Sequence, residues 1–158
     1  MEFKLKSEDG YARAGNFTVN NKTIDTPAFM TIGTYGSVKT MDTVDLKKCN
    51  VEIILSNAFH LMLRPGTELI EKFGGLHEFM NWDGLILTDS GGYQVFSLGK
   101  DVKITNKGAE FKSPFNGDKV IMTPEISIDV QTKINTDIMM IFDECIKYPS
   151  DISTTEKS

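Results

Sequence analysis

The sequence predicts an α/β fold in which a parallel β-sheet is covered by helices. Short, continuously apolar segments, typical of strands buried on both faces, alternate with segments that carry helix-capping residues and helical spacing. Four such strands begin near Pro27, Val51, Leu85 and Asp137. Polar residues follow the strand ends, where α/β folds collect their functional groups. The sequence has no glycine-rich nucleotide fingerprint after its first strand, which disfavours a dinucleotide-binding fold.

The composition is that of a soluble globular protein. The chain has 158 residues, of which 40% are hydrophobic and 25% charged, enough for one domain with a core. No apolar run approaches the ~20 residues of a membrane span, and residues 1–4 do not resemble a signal peptide. We therefore expect a cytoplasmic protein without a membrane partner. The net charge of −5 argues against a general nucleic-acid coat protein, although a local basic face stays possible within residues 100–119.

The first part of the chain, residues 1–26, is predicted to form a β-hairpin region ahead of the sheet. Asn20 and Asn21 supply a turn, because asparagine tolerates positive φ. The first strand of the sheet should then cover residues 27–32, with Pro27 at its first position.

Two helices are predicted on either side of the second strand. The first covers residues 42–48, with Asn50 as the left-handed residue after its end. The strand at residues 51–55 follows. Thr67 is predicted to cap the second helix, which the glycines at 74–75 close.

Inserted β-hairpins are predicted for residues 99–122, because Asn116 and Gly117 form a strong hairpin-turn signal. A helix should follow, with Thr123 as its N-cap and Pro124 at its first position. Its apolar stripe consists of Ile126, Val130 and Ile134.

The densest group of candidate functional residues follows the strand that begins at Leu85. This strand ends at Asp89, and Ser90, Gly91 and Gly92 come next. Such a turn is open enough for a ligand to reach backbone N–H groups. The alternative is an ordinary strand-to-loop turn with a capping aspartate.

Two carboxylates at neighbouring strand ends, Asp89 and Asp143, suit acid–base or glycosidic chemistry. A carboxylate also fits guanine, because its two oxygens can accept from adjacent N–H groups of the Watson–Crick edge. Tyr93 could stack on a base, or it could pack in the core with its hydroxyl satisfied. Aspartates that merely shape loops are the alternative for both acids.

The metal-binding residue types are sparse. His60 and His77 are the only histidines, and neither has a metal-ligand spacing with Cys49 or Cys145. We therefore predict no metal site in this chain and no disulfide framework.

Five motifs, taken together, closely resemble the tRNA-guanine transglycosylase (queuine tRNA-ribosyltransferase) family of bacterial type. They lie at residues 56–66, 88–98, 111–117, 123–125 and 142–145, in that family's order and at about its spacing. The family is a TIM (β/α)8 barrel with inserted hairpins. It exchanges guanine at the tRNA wobble position for the 7-deazaguanine preQ1 on the way to queuosine. The resemblance implies that residues 1–158 are one partial domain, about four βα units from the N-terminal half of such a barrel.

The resemblance also implies roles for individual residues. Asp89 would be the general acid/base, Asp143 would read the guanine-like edge, and Tyr93 would stack on the purine. The other implied base-pocket residues are Ser90, Gly91, Gly92, Asn57 and Cys145, the last being typical of enzymes that favour preQ1. The target base must leave its stack to be reached, and a covalent ribosyl–carboxylate intermediate would preserve the anomeric configuration.

The family's members are much longer than this chain. The part without a match here carries the nucleophilic aspartate and a structural zinc site, so we expect no zinc in this chain and no base exchange by it alone. The implied partners are tRNA with G at the wobble position, guanine or preQ1, and a second copy in the full-length enzyme. Two alternatives are a non-catalytic tRNA-binding or partner subunit, and a glycoside hydrolase with another substrate. Half a barrel would also leave sheet edges exposed and prone to association.

Overall fold

The computed structural model describes residues 1–157. The first part of the chain forms an antiparallel sheet. Its strands are β1 (Glu2–Asp9), β2 (Ala12–Val19) and β3 (Lys22–Thr26), in that spatial order. The predicted hairpin turn is confirmed, since Asn20 and Asn21 have φ values of 49° and 63°. Positive φ at both turn residues matches the right-handed twist of the flanking strands.

A parallel sheet of four strands forms the centre of the described chain. Its strands are β4 (Thr31–Ile32), β5 (Ile53–Asn57), β6 (Leu85–Asp89) and β10 (Ile138–Met139), in the order β10-β6-β5-β4. The α/β class is confirmed. The sheet is open, with β4 and β10 at its edges, so its place in a barrel stays a prediction.

The two edge strands are much shorter than predicted. Only two residues of the predicted strand at 27–32 pair with a neighbour, and only two residues pair in the strand predicted to begin near Asp137. Each edge strand pairs on one side only, and the flanking apolar residues Phe29 and Ile141 are 82% and 79% exposed. The central strands pair on both sides, and their near-continuous burial explains why their apolar runs predicted them well.

Four short helices cover the first half of the chain: α1 (Thr43–Lys48), α2 (Ala58–Leu63), α3 (Thr67–Lys72) and α4 (Leu76–Met80). The prediction for α1 is confirmed: Asp42 accepts a 2.8 Å bond from Asp45 N, and Asn50 has a φ of 56°. The prediction that Thr67 caps α3 is wrong. Gly66 holds the N-cap position and Thr67 is the first helical residue.

The second half contains the inserted sheet. After β6 come α5 (Gly92–Ser97), a 3-10 turn (Gly99–Asp101), and the antiparallel strands β7 (Lys103–Thr105), β8 (Gly108–Lys112) and β9 (Lys119–Met122). Helix α6 (Pro124–Lys133) follows, then β10 and α7 (Ile152–Lys157). The predicted cap of α6 is confirmed, since Thr123 Oγ1 accepts a 3.2 Å bond from Ile126 N. Gly117, in the β8–β9 turn, has a φ of 76°, as the turn signal predicted.

Apolar clusters place the two ends of the central sheet in different surroundings. Val19 and Ile24 of the first sheet pack against Ile53 and Leu85, the first residues of β5 and β6. Phe59 and Val95, beyond the opposite ends of these strands, pack against the inserted sheet. The carboxyl ends of β5 and β6 therefore lie next to α5 and the inserted sheet. No helix within residues 1–157 has the length and apolarity that crossing a membrane requires.

Candidate functional site

The candidate site begins at the paired last residues of β5 and β6. Asn57 and Asp89 are partners in the parallel ladder, so their side chains emerge at the same edge of the sheet. Asn57 is 8% exposed and Asp89 is half-buried. The sequence predicted Asp89 as the last residue of its strand, and Asn57 lies just past the predicted strand at residues 51–55.

The carboxylate of Asp89 is held by three N–H donors. Its Oδ2 accepts from the side-chain amide of Asn57 and, at 2.9 Å, from Gln94 Nε2. Its Oδ1 accepts from Ala58 N at 3.0 Å. An ionised carboxylate offers about four acceptor sites. The three donors thus fix the plane of the carboxylate and leave one acceptor site, on Oδ1.

Gln94 is a site residue that the sequence analysis missed. It lies in the first turn of α5, which brings its amide back to Asp89. Its Oε1 is buried and accepts no hydrogen bond from any residue that the structure describes. The residues after Asp89 were predicted to form an open turn, and only their helical geometry shows that Gln94 reaches the carboxylate.

The second carboxylate, Asp143, lies in the irregular segment after β10 and is exposed. Its Oδ1 accepts a 2.7 Å bond from Ser90 Oγ, and its Oδ2 accepts a 3.3 Å bond from Cys145 Sγ. Ser90 Oγ itself accepts a 3.2 Å bond from Gly92 N. Four predicted site residues, Ser90, Gly92, Asp143 and Cys145, therefore form one hydrogen-bonded group.

The hydrogen-bonded group around Asp143 requires a glycine at position 92. A Cβ placed there would lie 2.3 Å from both the backbone oxygen and Oδ1 of Asp143. That separation is far below any van der Waals contact, and one of the two atoms belongs to the backbone. Gly92 therefore lets the segment that carries Asp143 approach the start of α5.

Gly91 supplies the turn between β6 and α5. It has a φ of 87°, in the left-handed region that favours glycine. A Cβ there would also meet Met122 Cε at 2.7 Å and Phe59 Cβ at 3.1 Å. Both the backbone conformation and the close packing therefore select glycine at this position.

Tyr93 points away from the core. Its side chain is 65% exposed, and its ring centroid lies 6.3 Å from that of Phe96 with the planes tilted by 41°. The alternative that Tyr93 packs in the core is therefore wrong. The exposed ring leaves a face available for contact with another planar group.

Cys145 keeps its proton in this arrangement. Burial raises the pKa of its thiol, and the hydrogen bond to Asp143 and the negative charge of that carboxylate raise it further. The raised pKa favours the protonated thiol over the reactive thiolate, and this thiol donates the 3.3 Å bond to Asp143 Oδ2.

A cavity of about 630 Å³ lies beside Asp143, between α5, the β7–β8 hairpin and the segment around residues 142–154. Gly92, Asp143 and Cys145 line it, whereas Asp89 and Asn57 do not. Ser90, which directly follows Asp89, connects the two carboxylates through its 2.7 Å bond to Asp143.

His60 and Arg64, two further polar residues of the first motif, lie against aromatic rings. The His60 ring centroid is 5.1 Å from that of Tyr35. Burial lowers the pKa of His60, although the charge of Asp89 opposes this shift, so His60 is neutral near pH 7. The Arg64 guanidinium carbon lies 6.0 Å from the centroid of the Phe115 ring, a cation–π contact.

No zinc site is formed within residues 1–157. Within that range, no group of three or more His, Cys, Asp or Glu side chains converges closely enough to hold a metal ion. Cys49 is exposed and Cys145 is partly buried, and both are free thiols. The described residues therefore do not fit the zinc that the resemblance implies for the family.

Comparison with known proteins gives a consistent match over almost the whole chain. A family model described as queuine tRNA-ribosyltransferase matches residues 8–158. A curated relative of that name from Herminiimonas arsenicoxydans is 57% identical over 151 residues, which are 96% of this chain and 40% of the relative. Another from Janthinobacterium sp. (strain Marseille) is 54% identical over 160 residues, covering 100% of this chain and 43% of the relative. The chain thus spans about two fifths of the length of the curated relatives it matches.

Proposed function

Because the chain belongs to the queuine tRNA-ribosyltransferase family, we propose that its site holds and protonates a purine during base exchange on tRNA. The proposed reaction replaces guanine at the wobble position with a 7-deazaguanine, preQ1. Since the chain spans 40% of its relative from Herminiimonas arsenicoxydans, the proposal concerns the part of the reaction that these residues can perform. With tRNA as the substrate, the reaction is proposed to take place in the cytoplasm.

The bonding of Asp143 is the observation that carries this proposal. Each of its oxygens accepts one bond, from Ser90 Oγ on Oδ1 and from Cys145 Sγ on Oδ2. With about two acceptor sites per oxygen, one site stays available on each. Guanine and preQ1 present two adjacent N–H groups on the Watson–Crick edge. A carboxylate with one available site on each oxygen can accept both at once.

Asp89 is proposed to move the proton. The purine that leaves tRNA must gain a proton, and the incoming purine must lose one. Asp89 Oδ1 has the available acceptor site, while Asn57, Ala58 and Gln94 hold the other positions of the carboxylate. A positioned general acid/base contributes a factor of about 10²–10⁴ in rate.

Tyr93 is proposed to stack on the purine after the base leaves its stack in the anticodon loop. Its ring is 65% exposed and follows Gly92 directly in α5. Stacking on an aromatic ring stabilises a bound base by about 1–3 kcal/mol. It also offsets part of the free energy needed to unstack the base, about a few kcal/mol.

The nucleophile that would hold the ribose is proposed to come from outside the motifs matched here, as the resemblance implies. Zinc binding and pairing of two full-length copies are likewise assigned to other parts of the family's sequence. We therefore expect residues 1–158 alone to bind preQ1 without exchanging the base.

The proposal is tested by joining residues 1–158 to the remaining part of the Herminiimonas arsenicoxydans relative. Incorporation of labelled guanine into tRNA with G at the wobble position is then measured. We expect exchange by the joined protein, a fall in kcat of about 10²–10⁴ for Asp89→Asn, and a higher KM for guanine with Asp143→Asn.

Asp129→Asn is the matched control, because Asp129 is an exposed carboxylate on α6 that pairs with Lys133. It should leave kcat and KM unchanged. Exchange that survives Asp89→Asn at the full rate would contradict the role of Asp89. Failure of residues 1–158 to bind preQ1, together with no exchange by the joined protein, would contradict the proposed function.

A further inference from the structure

Gln131, on α6, is a fully buried polar residue that the proposed reaction does not use. Its side chain is 0% exposed. Its Oε1 accepts from Met140 N at 2.9 Å and from Thr88 Oγ1 at 3.0 Å. Its Nε2 donates to Met140 O at 2.9 Å and to Ser127 O at 3.2 Å. One amide therefore binds both backbone groups of Met140.

The contact between Gln131 and Met140 lies directly after the last paired residue of β10. The last paired residues of β10 and β6 are Met139 and Thr88. At Met140, the next residue, the Gln131 amide takes both backbone bonds in place of a neighbouring strand. The side chains of Met140 and Ile141 are 44% and 79% exposed, so burial of these side chains does little to hold the segment. The amide of Gln131 is thus a main anchor of the backbone that leads to Asp143, together with the packing of Phe142.

A second route connects the same helix to Asp143. Ser127, one turn before Gln131, donates from Oγ to Ser90 O at 2.7 Å. Ser90 then donates from its own Oγ to Asp143 Oδ1 at 2.7 Å. Helix α6 is therefore connected to Asp143 in two ways, through the backbone of Met140 and through Ser90.

We propose that Gln131 is a positioning residue that sets the location of Asp143 and so the strength of purine binding. It does not touch the purine and acts through Met140. The effect on purine binding rests on the proposed function, whereas the effect on Asp143 can be measured without it.

The experiment uses isotope-labelled residues 1–158 and the substitution Gln131→Met, which keeps the length of the side chain and removes its hydrogen bonds. NMR measures amide hydrogen exchange at Met140 relative to Ile54, a fully buried residue of β5, and the carboxyl resonance of Asp143. Titration measures the Kd for preQ1. We expect amide exchange at Met140 to rise and the Asp143 resonance to move. We also expect the preQ1 affinity to fall by about tenfold or more, because the loss of a buried hydrogen bond corresponds to about a factor of ten in an equilibrium constant.

Val130→Ala is the matched control for general destabilisation. Val130 precedes Gln131 on α6 and is 4% exposed, but its apolar side chain makes no hydrogen bond. It should leave the Met140 to Ile54 exchange ratio and the Kd unchanged. Ser127→Ala is a second and milder variant. It should move the Asp143 resonance while Met140 stays protected. It breaks the bond to Ser90 and a 3.2 Å contact with Gln131 Nε2, but it leaves the bonds of Gln131 to Ser127 O and to both backbone groups of Met140.

Several results would overturn the proposal. One is unchanged Met140 exchange and an unchanged Asp143 resonance in Gln131→Met. Another is an equal response in Val130→Ala. A moved Asp143 with an unchanged Kd would overturn the effect on binding alone. If the unsubstituted chain does not bind preQ1, the effect on purine binding fails. Amide exchange at Met140 and the Asp143 resonance then still decide whether Gln131 positions Asp143.

Discussion

Ser90 donates a 2.7 Å hydrogen bond to Asp143 across 53 positions of the chain. Ser90 also directly follows Asp89, which accepts bonds from Asn57, Ala58 and Gln94. A single residue therefore connects the two carboxylates of the candidate site. Any change that moves Ser90 is expected to affect both Asp143, the group proposed to bind the purine edge, and Asp89, the group proposed to move the proton.

Substituting Ser90→Ala should weaken preQ1 binding by residues 1–158. Asp143 loses a donor that fixes its carboxylate, and a hydrogen bond to a charged group contributes about 1.5–3 kcal/mol. We expect a rise in Kd of about tenfold or more, since 1.4 kcal/mol is a factor of ten. Isothermal titration provides the measurement. Ser37→Ala, at an exposed serine, is the control and should bind like the unsubstituted chain; an equal loss there would count against this role of Ser90.

Substituting Gly92→Ala should displace Asp143 and lower the free energy of unfolding. The new methyl group would lie 2.3 Å from Asp143 O and Oδ1, and overpacking of this kind typically costs about 1–3 kcal/mol. Urea unfolding and preQ1 titration measure the two effects.

Gly10→Ala separates this steric effect from backbone strain. Gly10 has a φ of 58° and no atom within 4 Å of its added Cβ, so the expected loss is about 1–2 kcal/mol from the left-handed conformation alone. Only Gly92→Ala should weaken preQ1 binding. Equal binding by both variants would show that the close approach of Asp143 to Gly92 does not matter for the site.

Asp137 lies at the end of the central sheet opposite to the candidate site. It should make the free energy of unfolding depend on pH in the acid range. Its carboxylate accepts bonds of 3.0 Å from Asn20 Nδ2, 2.9 Å from Ile86 N and 2.9 Å from His77 Nε2. Burial raises the pKa of Asp137, but these bonds and the charges of His77 and Lys22 outweigh burial and lower it below its ordinary value. The native state therefore binds this proton less tightly than the unfolded chain does.

The sign of the effect follows from that direction. Stability from Asp137 is fully present above about pH 4, the ordinary value of an aspartate, and is lost as the pH falls through the lowered pKa. Asp137→Asn should destabilise by about 1–3 kcal/mol near pH 6, with a smaller difference below pH 4. Asp83→Asn removes an exposed pair with Lys47 and should leave the free energy of unfolding almost unchanged, because exposed ion pairs contribute little to stability. A constant difference between Asp137→Asn and the unsubstituted chain from pH 6 to pH 2 would contradict this account.

The edges of the central sheet should make residues 1–158 self-associate. Ile32 of β4 is 59% exposed, and Ile141, just after β10, is 79% exposed. Unpaired edge strands with exposed apolar side chains are templates for pairing with another chain, and an edge lysine blocks such pairing. Ile32→Lys should shift sedimentation toward the monomer. Val44→Lys, at an exposed apolar residue of α1, should not shift sedimentation. Equal shifts by both variants would show that exposed apolar side chains in general, and not the sheet edge, cause the association.

Local signals in the sequence predicted the elements whose causes are local. The central strands follow from apolar runs buried on both faces, the first hairpin from Asn20 and Asn21, and the start of α6 from Thr123. Helices α2, α4 and α5 were missed because each has five or six residues and no capping side-chain hydrogen bond. The edge strands were overestimated because an apolar run does not reveal whether a second neighbour exists.

The sequence by itself determined the α/β class, the family and the identity of the residues at the strand ends, because the apolar runs and motifs that specify them are contiguous. Only the tertiary structure decided that Ser90 joins Asp143, that Gln94 returns to Asp89, and that Gln131 binds the backbone of Met140. The Ser90–Asp143 bond depends on β10 lying beside β6, and the Gln94 and Gln131 contacts depend on how α5 and α6 present their amides. The packing of distant elements determines such hydrogen-bond partners, and the spacing of residues along the chain does not reveal that packing.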